Sequence, residues 1–344
     1  MKKMRVALSC SVKKKDAGLP PDYFSEFDSE ETVLSIADTI KELGNEVILF
    51  EANDRDTLLE RLQSNPVDMV FNIAEGSGSR MRESEVPALL DFLSIPYTGS
   101  NPYTLALALD KAISKRIFKY ENIPTPNFQV FYSVDTALKP DLKFPLIVKP
   151  NYEGSGKGIS SSSVVFNQAE LYKQVSKTIT TYNQQALVEE FIEGKELTVG
   201  ILANGKTIVL PILEIDFSQC LSSGEYFYSW KMKEFQGNKE LGLEPTFHCP
   251  ARLSPEVTEK VKEAALRAHK ALGCLDISRT DIRLSKDNIP YVLEVNPLPG
   301  LDPKESNFPM IARAAGIEYK SLIKMILDSA AERHGVSVAG SLRQ

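Results

Sequence analysis

Within the first hundred residues three short apolar runs, Met4–Cys10, Glu46–Phe50 and Met69–Ile73, alternate with stretches of helical period. Val33, Leu34, Ile36, Ala37, Ile40 and Leu43 line one helix face that ends at Gly44, with Asp28 as the expected N-cap and Glu31 three residues on. Shorter helices are expected over Thr57–Leu62 and Val86–Leu93. Strands alternating with helices imply a βαβαβ unit, a parallel sheet with helices on both faces. The aperiodic segment Ser11–Tyr23 follows the first strand, so it belongs at the carboxyl edge of that sheet, where ligands bind.

At 344 residues the chain has room for two or three lobes. It is 42% hydrophobic and 25% charged, and no apolar run reaches the ~20 residues of a spanning helix. The basic start runs into Lys13-Lys14-Lys15-Asp16 and reads as a strand, not a leader, so a cytoplasmic protein without membrane contact is expected. A net charge of −6 argues against nucleic-acid binding. Cys10, Cys220, Cys249 and Cys274 are scattered and the histidines number three. A disulfide framework, a zinc site and a Ser-His-Asp triad are therefore set aside, and any metal should have oxygen ligands.

Composition and punctuation divide the chain into residues 1–100, 101–185 and 186–334, with a small polar tail, 335–344, expected to be disordered. The second part opens on a helix over Tyr103–Tyr120, broken by Pro124-Thr125-Pro126. Strands follow at Phe128–Tyr132, Leu146–Lys149 and Ser162–Phe166, then a helix after Asn167. The third has strands Leu187–Glu190, Glu196–Ala203 and Thr207–Ile215, the last two joined at Asn204-Gly205, a strong hairpin signal. A helix over Ser254–Leu272, a second hairpin of Thr280–Leu284 and Tyr291–Asn296, and a helix over Tyr319–Arg333 complete it.

The chemistry lies in the second and third parts. Folding the second hairpin about Ser285–Asn288 sets Asp281 opposite Glu294, with Asn296 on the face of Glu294 and Arg279 on the face of Asp281. Hard oxygen ligands of this kind suit Mg²⁺ held together with phosphates. On the hairpin alone a cross-strand ion pair on a solvated face is the favoured reading. The stiff turn Asn296-Pro297-Leu298-Pro299-Gly300 shifts that balance, because it can hold the Gly300 N–H toward an anion. Lys149 ends a strand and leads into the glycine-rich Gly154-Ser155-Gly156-Lys157-Gly158, a loop that either approaches phosphates or is an ordinary turn. It is not a Walker A loop, since Asn151 and Gly158 break that pattern. In Glu189–Glu196, Glu189 can accept from an adenine amino group, the Ile192 backbone N–H can donate to a ring nitrogen, and Glu196 can accept from the ribose hydroxyls. Taken alone, the segment reads as a turn between strands.

The ordered set Leu109-Asp110-Lys111, Val148-Lys149-Pro150, Glu189-Glu190-Phe191-Ile192-Glu193-Gly194-Lys195-Glu196, Arg279-Thr280-Asp281 and Leu293-Glu294-Val295-Asn296-Pro297 resembles the ATP-grasp superfamily. Ile95–Ser100 and Asn296–Leu301 resemble its D-alanine–D-alanine ligase branch. The resemblance runs from about residue 4 to 330. It implies an α/β fold of three lobes with ATP between the second and third.

By the same resemblance, Lys111, Lys149, Gly154 and Gly156 contact phosphates, while Glu189, Glu190, Ile192 and Glu196 hold adenine and ribose. Asp281, Glu294 and Asn296 hold two Mg²⁺, with Mn²⁺ as a substitute. Arg279 and the Gly300 N–H stabilise an oxyanion, and Ser155 lies near the reacting groups. Gly224–Gly242 matches a mobile lid whose Lys231 reaches the γ-phosphate. The implied reaction joins a carboxylate to an amine through an acyl phosphate, on small-molecule amino acids or peptides. A homodimer is implied by the resemblance alone.

The departures concern the first substrate. The family's His-Gly pair is replaced by Phe71-Asn72-Ile73-Ala74-Glu75-Gly76, no glutamate stands directly after the first strand, and Met232 follows Lys231. A carboxylate substrate other than D-alanine is expected, larger or, from the Lys13–Lys15 loop, more acidic. Glu75 and Arg80–Glu85 line its pocket or form a solvated loop. A true D-alanine–D-alanine ligase and a non-catalytic ATP-binding module are the alternatives.

Overall fold

The computed structural model describes residues 3–14, 20–53 and 55–336. Strands β1 (Arg5–Cys10), β2 (Glu46–Glu51) and β3 (Met69–Ile73) form a parallel sheet in the order β2-β1-β3. Helix α1 (Glu30–Glu42) follows β1, α2 (Arg55–Ser64) follows β2 and α3 (Arg82–Phe92) follows β3. The N-cap of α1 is Ser29, whose hydroxyl accepts from Thr32 N at 3.1 Å, and not Asp28. Both residues satisfy the capping preference, and the aim of the entering chain decides between them.

The single helix expected over Tyr103–Tyr120 is two, α4 (Pro102–Leu109) and α5 (Lys111–Tyr120), broken at Asp110. Asp110 is extended, and its carboxylate caps α5 by accepting from Ile113 N at 3.0 Å. A short acid competes with the helix for backbone donors, so an unbroken apolar period does not guarantee an unbroken helix. The break puts Lys111 at the first position of α5, buried.

The central strands β4 (Phe128–Phe131), β5 (Leu146–Pro150), β6 (Val164–Val165) and β7 (Ala186–Glu190) make an antiparallel sheet in the order β4-β7-β5-β6, backed by α6 (Gln168–Tyr182). The strand expected over Ser162–Phe166 shrinks to β6 because one 3-10 turn occupies Ser161–Ser163.

The last sheet is five-stranded and antiparallel, ordered β10-β9-β8-β11-β12. It contains the hairpin β8 (Gly194–Asn204) and β9 (Lys206–Asp216) and the hairpin β11 (Ile277–Ser285) and β12 (Pro290–Asn296), with β10 (Thr246–His248) at its edge. Helix α8 (Pro255–Ala271) covers one face, and α9 (Asn307–Ala314) and α10 (Tyr319–His334) pack near the other hairpin. The short elements β10, α9 and α7 (Trp230–Glu234) have no counterpart in the sequence reading; each is too short for its period to register.

Val6, Leu8, Ile36 and Ile40 of the first sheet and helix share one core with Leu202, Phe308, Ile323, Ile326 and Leu327. The first sheet and the last two helices are thus joined by continuous apolar packing. The disorder expected from residue 335 falls, from 337 onward, outside the described residues. Among the described residues, no helix is long and apolar enough to cross a membrane.

Candidate active site

The β11–β12 hairpin aligns Asp281 with Glu294 and Arg279 with Asn296 across the ladder, with a bulge after Asp281. The Asp281 carboxylate accepts from Arg279 Nε and Nη2 at 3.0 and 2.8 Å, from Thr198 Oγ1 at 2.5 Å and from Asn296 Nδ2 at 3.1 Å. Glu294 is paired with Lys111 at 3.2 Å. Burial opposes ionisation of Glu294, but Lys111, Lys233, Lys149 and Arg279 outweigh it and hold the carboxyl well below the usual range. Two carboxylates and an amide on adjacent strands are the hard donor set that Mg²⁺ takes, so these residues fit the metal.

One slot is lined by Ile147, Ile159, Phe191, Ile192, Phe227 and Leu293, with Glu190 and Glu196 among its polar groups. Its apolar walls suit a flat heterocycle. Arg283 fixes its rim, donating to Ile192 O and to Glu196, each at 3.0 Å. Glu190 accepts from Asn127 Nδ2 at 3.0 Å. Gly194, with φ +149°, lets this turn lie on β11, since a Cβ there would be 1.9 Å from Leu284 O.

Glu189 lines the slot but is only 2% exposed, clamped between Lys149 and Lys115. Lys115 is 2.9 Å away and fully buried. Burial pushes the Lys115 amine down to about 8 against the pull of Glu189. Burial raises the Glu189 carboxyl, yet the two ammonium groups keep it below its ordinary value. Within the structure Glu189 therefore serves as counter-ion to the lysines. Lys115 had no sequence signal, since it is one of many lysines on an amphipathic helix.

The second cavity holds Arg279, Gly300, Ser155 and Asn296 together with Glu26, Asp28, Glu75 and Glu83. Lys111 and Glu294 line this cavity and the slot alike, so the two meet at that ion pair. Ser155 sits in the loop at φ +50°. The Gly154 N–H donates to Glu26 at 2.6 Å, and Gly158 N–H to Asp22 at 3.1 Å. Glu26 also binds Arg82 at 2.6 Å, and Arg82 donates to Tyr152 O at 2.7 Å. The loop after β1 does deliver a glutamate, sixteen residues beyond the strand, where spacing offers no cue. Glu75 and Glu83 face the cavity and do not form a solvated loop.

Residues 224–242 fold over these cavities. Trp230 donates through its backbone N–H to Ile159 O at 3.1 Å and through Nε1 to Ser25 at 2.8 Å. Gly156, at φ +70°, admits this approach, because a Cβ would lie 3.0 Å from Trp230 N. Because residues 230–234 are helical, Lys231 and Lys233 point to opposite sides. Lys233, and not Lys231, lines both the slot and the space beside Arg279 and Gly300. Burial together with Arg279 lowers the Lys233 amine, against Asp281, Glu294 and Glu196. Met232 is buried among Ile215, Phe217, Cys220 and Leu243. The structure thus puts Lys233, and not the expected Lys231, in the linings of these cavities; Glu234, which follows it, is 3.7 Å from Lys13.

The sequence profile of the D-Ala–D-Ala ligase C-terminal family matches residues 117–328. The chain belongs to the D-alanine–D-alanine ligase family. It is 36% identical over 279 residues to D-alanine–D-alanine ligase of Carboxydothermus hydrogenoformans, covering 78% of this chain and 83% of the relative. It is 34% identical over 307 residues, 87% of each chain, to an uncharacterised protein of Sinorhizobium fredii. The crystal structure of D-alanine–D-alanine ligase from Bacillus anthracis complexed with ATP is similar over 96% of this chain and 99% of that one, with TM-score 0.74 and 27% identity. Membership places this mixed parallel and antiparallel fold among the ATP-grasp, ATP-dependent C–N ligases.

Proposed function

We propose that this chain ligates a carboxylate to an amine at the expense of ATP, through an acyl phosphate, with a first substrate other than D-alanine. The observation that carries this reading is the junction of slot and cavity at Lys111 and Glu294. A nucleotide in the slot has its phosphates among Lys111, Lys149 and Lys233, within reach of a carboxylate held beside Arg279. The lysines offset charge as the substrate carboxylate attacks the γ-phosphorus and ADP leaves. Arg279 and the Gly300 N–H then face the oxygen that gains charge when the amine adds to the acyl carbon and phosphate departs. Bound Mg²⁺, one ion or two, with Mn²⁺ as a substitute, would be held by Asp281, Glu294 and Asn296 and would further neutralise the phosphates. The folded 224–242 segment keeps water from an acyl phosphate. A homodimer belongs to the same proposal, and sedimentation measures it.

The pocket residues support a substrate other than D-alanine. Glu75 and Glu83 line the cavity, in the stretch where the His-Gly pair is missing, and Glu234 follows the lid lysine. The relatives named D-alanine–D-alanine ligase favour the second reading, ligation of two D-alanines. ADP release with ATP and Mg²⁺ against paired D- and L-amino acids and small peptides separates them. Turnover requiring both a carboxylate and an amine donor, with D-alanine alone inactive, is the expected result. Rapid dipeptide formation from D-alanine alone would establish the second reading.

A further inference from the structure

The cavity beside Arg279 holds more carboxyl groups than the protein's own cations pair with. Single carboxylate oxygens of Glu26, Glu75 and Glu83 all lie within 4.8 Å of one another. Glu26 has its counter-charge in Arg82 and a donor in the Gly154 N–H. Glu83 is 9% exposed and lines the cavity, yet it has no hydrogen bond or ion pair among the described residues. The Glu75 carboxylate likewise has no such partner, and Asp28, on the same cavity, has none for its side chain. Of the neighbouring cations, Lys111 pairs with Glu294, Arg82 with Glu26 and Lys13 with Glu234; Arg279 pairs with Asp281, and Lys233, beside Arg279 and Gly300, has no ion pair among the described residues.

A buried carboxylate without a partner is costly, so it either takes up a proton or waits for a cation. Burial pushes Glu83 and Asp28 each up to about 7, and burial with Glu83 raises Glu75 well above its ordinary value. An ordinary amino acid brings one ammonium, which answers one of these acids while its own carboxylate is drawn to Arg279. The remaining acids call for a second positive group on the same molecule.

We propose that the substrate seated in this cavity carries a positive charge beyond its α-ammonium, as a basic amino acid or a peptide ending in one does, and that Glu75 and Glu83 select it. This inference rests on the ligase reading. It also reverses the acidic half of the expectation drawn from Lys13–Lys15: Lys13 is paired with Glu234, and Lys15 lies outside the described residues.

The test pairs each basic amino acid with a neutral counterpart: lysine with norleucine, ornithine with norvaline, arginine with citrulline, in both configurations. Each is offered with ATP, Mg²⁺ and a common set of amine donors, and ADP and amide product are measured. The basic member is expected to show a KM lower by about tenfold or more, and Glu83→Gln or Glu75→Gln to erase that gap while the KM for ATP stays within about twofold. Glu75→Gln serves alone if Glu83→Gln fails to fold. In parallel, calorimetry follows lysine and norleucine binding to wild-type and variant protein loaded with a non-hydrolysable ATP analogue and Mg²⁺. Glu-dependent lysine binding without any amide product upholds the charge selection and overturns the ligase reading. Equal use of norleucine and lysine, a lysine preference that survives both substitutions, or binding of neither compound overturns the inference.

Discussion

Replacing Glu189 by Gln tests whether the carboxylate acts chiefly as counter-ion to Lys115 and Lys149. The triad carries two positive charges and one negative, and all three side chains are at most 6% exposed. Glu189→Gln leaves two buried ammonium groups without their carboxylate, and loss of one partner of a buried pair costs about 3–5 kcal/mol. Lys115→Met instead leaves a neutral Lys149–Glu189 pair. It forfeits the 3.0 Å bond to Thr125 and one ion pair, a loss of about 1–2 kcal/mol. With an unfolding entropy of about 2.1 cal/mol/K per residue, 344 residues give roughly 0.7 kcal/mol/K. Glu189→Gln should then lower Tm by about 4–7 °C and Lys115→Met by only about 1–3 °C. Differential scanning calorimetry of the two variants, alone and with ATP, measures this. A Lys115→Met loss equal to or larger than that of Glu189→Gln would refute the charge arithmetic. A Glu189→Gln protein of normal stability that binds ATP weakly would return Glu189 to the adenine role.

Lys233→Met should cut ADP release about 100-fold, the scale of one lost transition-state donor, while Lys231→Met stays within about twofold of wild type. His269 is buried, donating to or accepting from Ser278 at 2.7 Å, and burial pushes it down to about 4. The folded state then binds fewer protons than the unfolded state between pH 4 and 6.5, so stability rises with pH across that window and is flat above it. His269→Gln should remove about 2.4 kcal/mol of that dependence, read from urea midpoints at pH 4.5 and 7.

The metal-type hairpin was legible because strand alternation and a short turn together set its register, and Asp281 does face Glu294. The parallel sheet was legible because the apolar runs of β1 and β3, buried on both faces, stand out. Lys233 was missed because the 224–242 segment read as loop, where no period ranks one lysine over the other. Its helix is five residues long, and only folding turns Lys231 away. The division at Asp110 was hidden because the apolar period runs through it. Glu26 and Lys115 acquire their meaning from partners 56 and 74 residues away, Arg82 and Glu189, and local spacing carries no trace of such pairs.

The core shared by the first sheet and the last helices has a mechanical consequence. The first sheet and the last two helices are welded into one frame by side chains such as Leu8, Ile36, Phe308 and Ile326, all of which lose water contact there. The central sheet meets the loop after β1 differently, through Gly154 and Gly158 on Glu26 and Asp22, Tyr182 on Asp22, and Tyr152 on Arg82. Water can replace polar contacts of that kind at little cost, whereas it cannot replace an apolar core. Of the three parts, the central sheet is thus the one whose contacts with the loop after β1 open at least cost, against a frame built from the first sheet and the last two helices.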